Sequence, residues 1–282
     1  MNDKVATQRI TEEHLKNIKD IKPLIVGAGL DPEKIKFGNV FPSPFHTTFL
    51  CAKRRSGKTS VLAECLEKTS NKNTAFFIFC PTTQVDDSWK TIIEKLQKKG
   101  SVVNVFDSIM DGKQNQLNTI IDTLSKGEEE EPVKPIKPVK KLIYDGENQE
   151  HNKPQRASAV KPKKISPEYI FVFDDISSEL KNPAVYKLLK MSRHLKASVY
   201  ISTQYIHDIM PQGLKQAEYF ILFKSFSEDK LEHLYHMLDL SISLEKFIDI
   251  YKYVMKDAKY DFLFIDIKNE QFRKNFNKKL NV

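Results

Sequence analysis

Two groups of residues, more than a hundred positions apart, have the types and spacing needed for chemistry on phosphate. The first is Ala52-Lys53-Arg54-Arg55-Ser56-Gly57-Lys58-Thr59. It follows the phosphate-loop pattern G-x-x-x-x-G-K-[ST], except that Ala52 stands at the first glycine. In that pattern the main-chain N–H groups of a tight loop and of the next helix turn toward phosphate. The residue nearest the phosphate must then be small, and Gly57 is. Lys58 can reach β- and γ-phosphates, and the Thr59 hydroxyl can ligate Mg²⁺. Ser60 extends the run into the helix. Lys53, Arg54 and Arg55 fit either solvated positions, a DNA-facing surface or additional phosphate ligands. A bare G-K-T also occurs in basic loops that merely cap a helix. The context separates the two readings: an apolar β-rich run, His46–Cys51, precedes the loop, and Val61, Leu62, Cys65 and Leu66 follow at helical spacing.

The second group is Asp174-Asp175, placed directly after the apolar run Tyr169-Ile170-Phe171-Val172-Phe173. A phosphate-loop enzyme needs an acid at the end of a second strand to hold magnesium, with a neighbour that polarises water. Asp174 suits the first role and Asp175 the second. The same pair would also suit a simple helix cap. Ser202-Thr203-Gln204 ends a further strand pattern. If that strand lies between the loop strand and the acidic strand, Gln204 can touch both γ-phosphate and water; otherwise it is an ordinary loop glutamine.

The elements that must position these residues are legible in outline. Strand patterns cover 46–51, 74–80, 102–106, 169–173, 197–202, 217–224 and a final one at 261–267. Helical patterns cover 58–68, 87–99, 115–124, 183–194, 228–238 and 244–255. Strands alternating with helices predict a mostly parallel, doubly wound sheet with ligands at the strand carboxyl ends. Residues 1–40 read as a lead-in with a helix start at Thr11-Glu12-Glu13 and a turn at 27–32. Residues 41–282 read as one domain. Within it, 127–164 has an acidic block, Glu128–Glu131, then prolines alternating with lysines, which predicts a low-complexity insertion with at most a short strand at 142–144. The lysine-rich stretch 268–279 reads as a solvated tail or a DNA-facing segment.

Composition narrows the class. With 282 residues the chain can bury a substantial core. Its net charge of +8 suits a polyanionic partner, and equally suits a lysine-rich soluble protein. Three cysteines without CxxC spacing argue against a disulfide framework and a zinc site, and for a reducing compartment. No apolar run approaches the ~20 residues of a membrane helix. The chain is therefore expected to be soluble and without a membrane partner.

The order of motifs carries a resemblance over roughly residues 46–240. Loop, long spacer, apolar strand with Asp-Asp, Ser192-Arg193-His194-Leu195, strand with Gln204, then Met210-Pro211 resembles the FtsK–HerA superfamily. Within it, the sequence is most similar to the poxvirus-type genome-packaging ATPases of large DNA viruses and virophages. The resemblance implies an additional-strand P-loop NTPase fold with helices flanking the sheet, ATP and Mg²⁺ as ligands, and ATP hydrolysis. It further implies a homo-oligomeric ring that moves double-stranded DNA into a capsid, with capsid or portal-vertex proteins as further partners, in the host cytoplasm, a virus factory or the virion. It implies a trans-acting arginine as well. The family position near 215 holds Lys215, a weaker substitute for a planar fork, so Arg193 is the other candidate. Two further readings use the same loop: a small-molecule or nucleotide kinase, and a nucleotide-binding scaffold without turnover, for which Ala52 speaks.

Overall fold

The computed structural model describes residues 30–127, 164–224 and 226–282. The helix start before residue 30, and the insertion with its short strand, lie outside the described residues.

The chain runs β1 (Thr47–Cys51), α1 (Lys58–Thr69), β2 (Ala75–Phe79), α2 (Asp87–Lys98), β3 (Val102–Phe106), a small hairpin of β4 (Met110–Asp111) and β5 (Gln114–Asn115), and α3 (Gln116–Gly127). It continues with β6 (Tyr169–Asp174), α4 (Pro183–Met191), β7 (Ala197–Thr203), α5 (Pro211–Leu214), β8 (Tyr219–Phe223), α6 (Glu228–Leu238) and α7 (Leu244–Val254). It ends with β9 (Phe262–Asp266), β10 (Gln271–Lys274) and β11 (Lys278–Lys279). Nine of these strands form one sheet in the order β11-β10-β9-β8-β1-β7-β6-β2-β3. The run from β8 to β3 is parallel, and β9, β10 and β11 extend it antiparallel. The expected mostly parallel sheet flanked by helices is therefore the fold observed.

Central strands are apolar on both faces because both faces are covered. Along β6, Phe171 and Phe173 join one core, and Ile170 and Val172 the other. Helices α3, α4, α6 and α7 close the first core; α1 and α2 close the second. Register turns same-face aromatics into a ladder. Phe79 pairs with Phe106 and Phe173 at ring separations of 4.9 and 5.1 Å, and Phe77 stacks on Phe171 at 5.0 Å. Each such pair adds about 0.5–1.5 kcal/mol beyond area burial. This ladder ties β3, β2 and β6 into a rigid platform for Asp174.

Several expectations shift. The helix expected to reach residue 194 stops at Met191, and a turn with Lys196 at φ 49° leads into β7. Phe262–Asp266 is not the last strand. The lysine-rich stretch from 268 onward, read as a solvated tail or a DNA-facing segment, forms the β10–β11 hairpin and is not a tail. Strand alternation turns Phe272 into the core, and Lys274 is buried as well. Its ammonium is 2.6 Å from Asp257 and 3.0 Å from Asp261, and that pairing is what makes a buried lysine tolerable.

His46, just before β1, is buried and stacks on Phe41 at 4.5 Å. Its Nδ1 lies 2.8 Å from the Ser43 carbonyl and so carries the proton; Nε2 accepts from the Tyr200 hydroxyl at 3.1 Å. Burial lowers its pKa from 6.5 to about 4. A base with a depressed folded-state pKa stabilises the fold above its unfolded pKa, and that contribution is lost as pH falls toward 4. We expect about 3 kcal/mol of stability to disappear between pH 6.5 and 4 from this residue. Urea unfolding across that range tests it: His46→Gln should be less stable at pH 7 and show a shallower acid-side slope.

Candidate functional site

The site is built at the carboxyl edge of the parallel strands, beginning with β1. The β1 ladder continues one residue beyond the strand, where the Ala52 N–H donates to the Thr203 carbonyl at 3.1 Å. Ala52 is fully buried, with its methyl in the core beneath α1. It is absent from the positive-φ residues of the described chain, so nothing in the backbone there requires glycine. The left-handed positions lie further along: Gly57 at φ 90°, ψ 6°, which glycine adopts freely, and Arg55 at φ 60°, which is strained. A left-handed non-glycine residue costs roughly 1–3 kcal/mol, and such strain clusters at ligand clamps. Gly57 is the N-cap of α1 and supplies no side-chain cap. The first-turn N–H groups of α1 therefore depend on water or a ligand. The Ser56 hydroxyl is buried and has no partner. A buried, unpaired hydroxyl costs about 1–3 kcal/mol, and a phosphate oxygen is an acceptor of the right kind to relieve it.

Facing the loop, Asp174 ends β6 and is buried. Its Oδ1 lies 3.2 Å from Lys58 Nζ and accepts from the Ser202 hydroxyl; its Oδ2 accepts from Trp89 Nε1 at 3.0 Å. Three elements thus fix one carboxylate: α1 through Lys58, β7 through Ser202 and α2 through Trp89. Register sets Ser202 beside Asp174. Asp175, next in the chain, turns out to the surface at φ 55°, and its Oδ1 accepts from Gln204 Nε2 at 3.2 Å. The Thr203 hydroxyl hydrogen-bonds with Asp208 and the Tyr205 carbonyl, which pins the turn carrying Gln204. A single cleft is lined by residues 53–60 together with Thr82, Asp86, Asp174, Asp175 and Gln204.

The structure therefore brings together every loop residue proposed from sequence, Lys53 to Ser60, with both aspartates and Gln204; Ala52 lies beneath them. It does not bring Arg193 there. Arg193 precedes β7, at the amino edge of the sheet, where its Nε donates to Glu218 at 3.1 Å. Exposed Lys215 precedes β8 at the same edge.

Sequence reasoning missed Trp89, Thr82 and Asp86. Trp89 looked like one more apolar residue on an amphipathic helix, but a buried indole N–H needs an acceptor. Thr82 and Asp86 follow β2 at the carboxyl edge, where open α/β sheets bind ligands, and that position is their only signal. The cysteines are not reactive candidates. Burial pushes Cys51 up to about 12 and Cys80 to about 11, and raises Cys65 further. Among the described residues no group of three or more His, Cys, Asp or Glu side chains is placed to hold a metal. One carboxylate, a threonine hydroxyl and phosphate oxygens are a set that Mg²⁺ accepts. The residues present therefore fit a magnesium–nucleotide complex. Among the described residues no helix is long and apolar enough to cross a membrane.

With β7 hydrogen-bonded between the loop strand and the acidic strand, the fold is that of the additional-strand P-loop NTPases. The chain is similar to the genome packaging NTPase B204 from Sulfolobus turreted icosahedral virus 2 in its complex with AMP, with a TM-score of 0.52 and 15% identity over 82% of this chain and 97% of that one. The same protein in complex with sulfate gives 0.50 and 16% over 82% and 96%. At these identities the likeness is one of fold. No protein-family model matches the sequence, and no curated protein does.

If Asp174 depends on its donors as the geometry states, Trp89→Phe and Ser202→Ala should each lower stability by about 1–3 kcal/mol in urea unfolding. Losses within error of zero for both would show that the carboxylate is satisfied in some other way.

Proposed function

We propose that the protein is an ATP-driven motor that moves double-stranded DNA, of the genome-packaging kind. The observation that carries the reading is the paired contact across the cleft: Lys58 with Asp174, and Asp175 with Gln204. The first pair joins a phosphate ligand to a magnesium ligand. The second joins a water-polarising carboxylate to an amide that can register the terminal phosphate. That arrangement suits hydrolysis, since the acceptor it prepares is water. The fold shared with a viral genome packaging NTPase and the +8 net charge support the DNA part of the reading.

In this reading ATP phosphates lie on residues 52–59, with Lys53, Arg54, Arg55 and Ser60 at the margins. Thr59 and Asp174 would hold Mg²⁺, which when bound would neutralise phosphate charge. Lys58 leaves Asp174 for phosphate, and the carboxylate keeps its Trp89 and Ser202 donors, so the exchange does not strand a buried charge. Asp175 accepts a proton from water. Gln204 orients that water and, through the Thr203–Asp208 turn, relays loss of the terminal phosphate to the loop after β7. Arg193 acts on a neighbouring subunit's nucleotide in a homo-oligomeric ring. It stands at the sheet edge away from its own cleft, as Lys215 does, so a catalytic part for either would be played in trans; the pairing of Arg193 with Glu218 is the purely structural alternative. Capsid or portal-vertex partners and a place in the infected cell's cytoplasm, a virus factory or the virion belong to the same proposal.

Turnover with and without double-stranded DNA tests the motor reading. DNA should raise ATPase activity, and the effect should fall with salt. Lys58→Ala and Asp175→Asn should each lower turnover on the order of 100-fold or more, with Asp175→Asn retaining nucleotide binding. Robust activity indifferent to DNA would sink the DNA assignment. For the trans role, Arg193→Ala should bind ATP normally yet turn over poorly, and mixing it with Asp175→Asn subunits should restore some activity. An Arg193→Ala protein with full turnover removes that residue from the mechanism.

A further inference from the structure

The loop and the two aspartates account for the phosphate end of a nucleotide and leave its base unassigned. Asp174 and Gln204, at the ends of β6 and β7, line the same cleft as Gly57. Tyr260 comes from the turn before β9. A Cβ built on Gly57 would stand 3.3 Å from Tyr260 Cδ1. In the sheet, β6 is the second strand from β1 in one direction and β9 the second in the other. A nucleoside triphosphate is an extended ligand. With its terminal phosphate turned toward Asp174 and Asp175, its base leaves past Gly57 toward the ends of β8 and β9, where Tyr260 stands.

Tyr260 is 60% exposed, and its turn is held firmly. Asp261, beside it, is buried and accepts from the Ala258 N–H at 3.2 Å, from Asn275 Nδ2 at 3.0 Å and from Lys274 at 3.0 Å. Lys274 also pairs with Asp257 at 2.6 Å. The C-terminal hairpin thus locks both ends of a short turn whose apex presents a large ring to solvent beside the phosphate loop. The ring lies outside both cores; Lys259 Nζ stands 5.2 Å from its centre, and a base would share or displace that contact. Tyr205 is the competing exposed aromatic; it lines a separate hollow with Lys53, Phe226 and Lys230, whose ammonium lies 5.6 Å from its ring centre.

We propose that Tyr260 is the stacking platform for the nucleobase. The inference rests on the phosphate-loop reading and deepens it. Stacking favours a nucleotide over a base-free polyphosphate and distinguishes little between one base and another.

Calorimetric titration of the full chain with ATP and with inorganic tripolyphosphate tests this. Tyr260→Ala should weaken ATP roughly tenfold and leave tripolyphosphate unchanged, while Tyr260→Phe should restore ATP affinity. Thermal unfolding checks that the exposed substitution leaves the fold intact. Equal losses for both ligands, no loss for either, or a base-selective loss in Tyr205→Ala instead would overturn the assignment. Wild-type protein that binds neither ligand would overturn the phosphate-loop reading, and this inference with it.

Discussion

Burying a carboxylate is costly unless donors meet its oxygens, and Asp174 meets that condition with groups drawn from three separate elements. Lys58 comes from the helix after the phosphate loop, Ser202 from the neighbouring strand and Trp89 from the helix on the covered face. None of the three is near Asp174 in sequence. Each donor demands that its element be placed to within a hydrogen-bond length. One side chain therefore couples the loop, the central strand and α2. Two of the three donors are neutral, so Asp174 does not depend on Lys58 alone.

The second constraint is the position of β7. A strand between β1 and β6 brings Ser202 against Asp174 and Gln204 against Asp175. Its burial is complete along all seven residues, so its two serines must be satisfied internally. Ser198 meets the Pro44 carbonyl at the far end, and Ser202 meets Asp174 at the cleft. Polar residues inside an otherwise apolar strand thus mark the points where the sheet is pinned to the lead into β1 and to the site.

The antiparallel edge has a different logic. Strands β9 to β11 add no residue to the phosphate cleft. They enclose Lys274 between Asp257 and Asp261 and so stiffen the turn beside Gly57. A lysine would leave such a position for water if either carboxylate were lost. The burial of Lys274 and the order of that turn are one interaction seen from two sides.

The sequence by itself determined the parallel sheet, the loop at 52–59, the acidic pair and the glutamine, because each depends on local patterning: apolar runs of strand length, helical periodicity and small or charged residues at fixed offsets. It pointed to the strand order only conditionally. Trp89 was hidden by its own apolar character, and Lys274 by the lysines around it, since a period-two pattern broken by charge reads as a tail until the matching carboxylates are found. The distance of Arg193 from its own cleft was likewise invisible, because a helix–turn–strand segment does not say at which edge of the sheet it turns. Only the tertiary structure decided these points. Which donor meets a buried charge is settled by strand order and register, and those arise from packing between segments far apart in the chain.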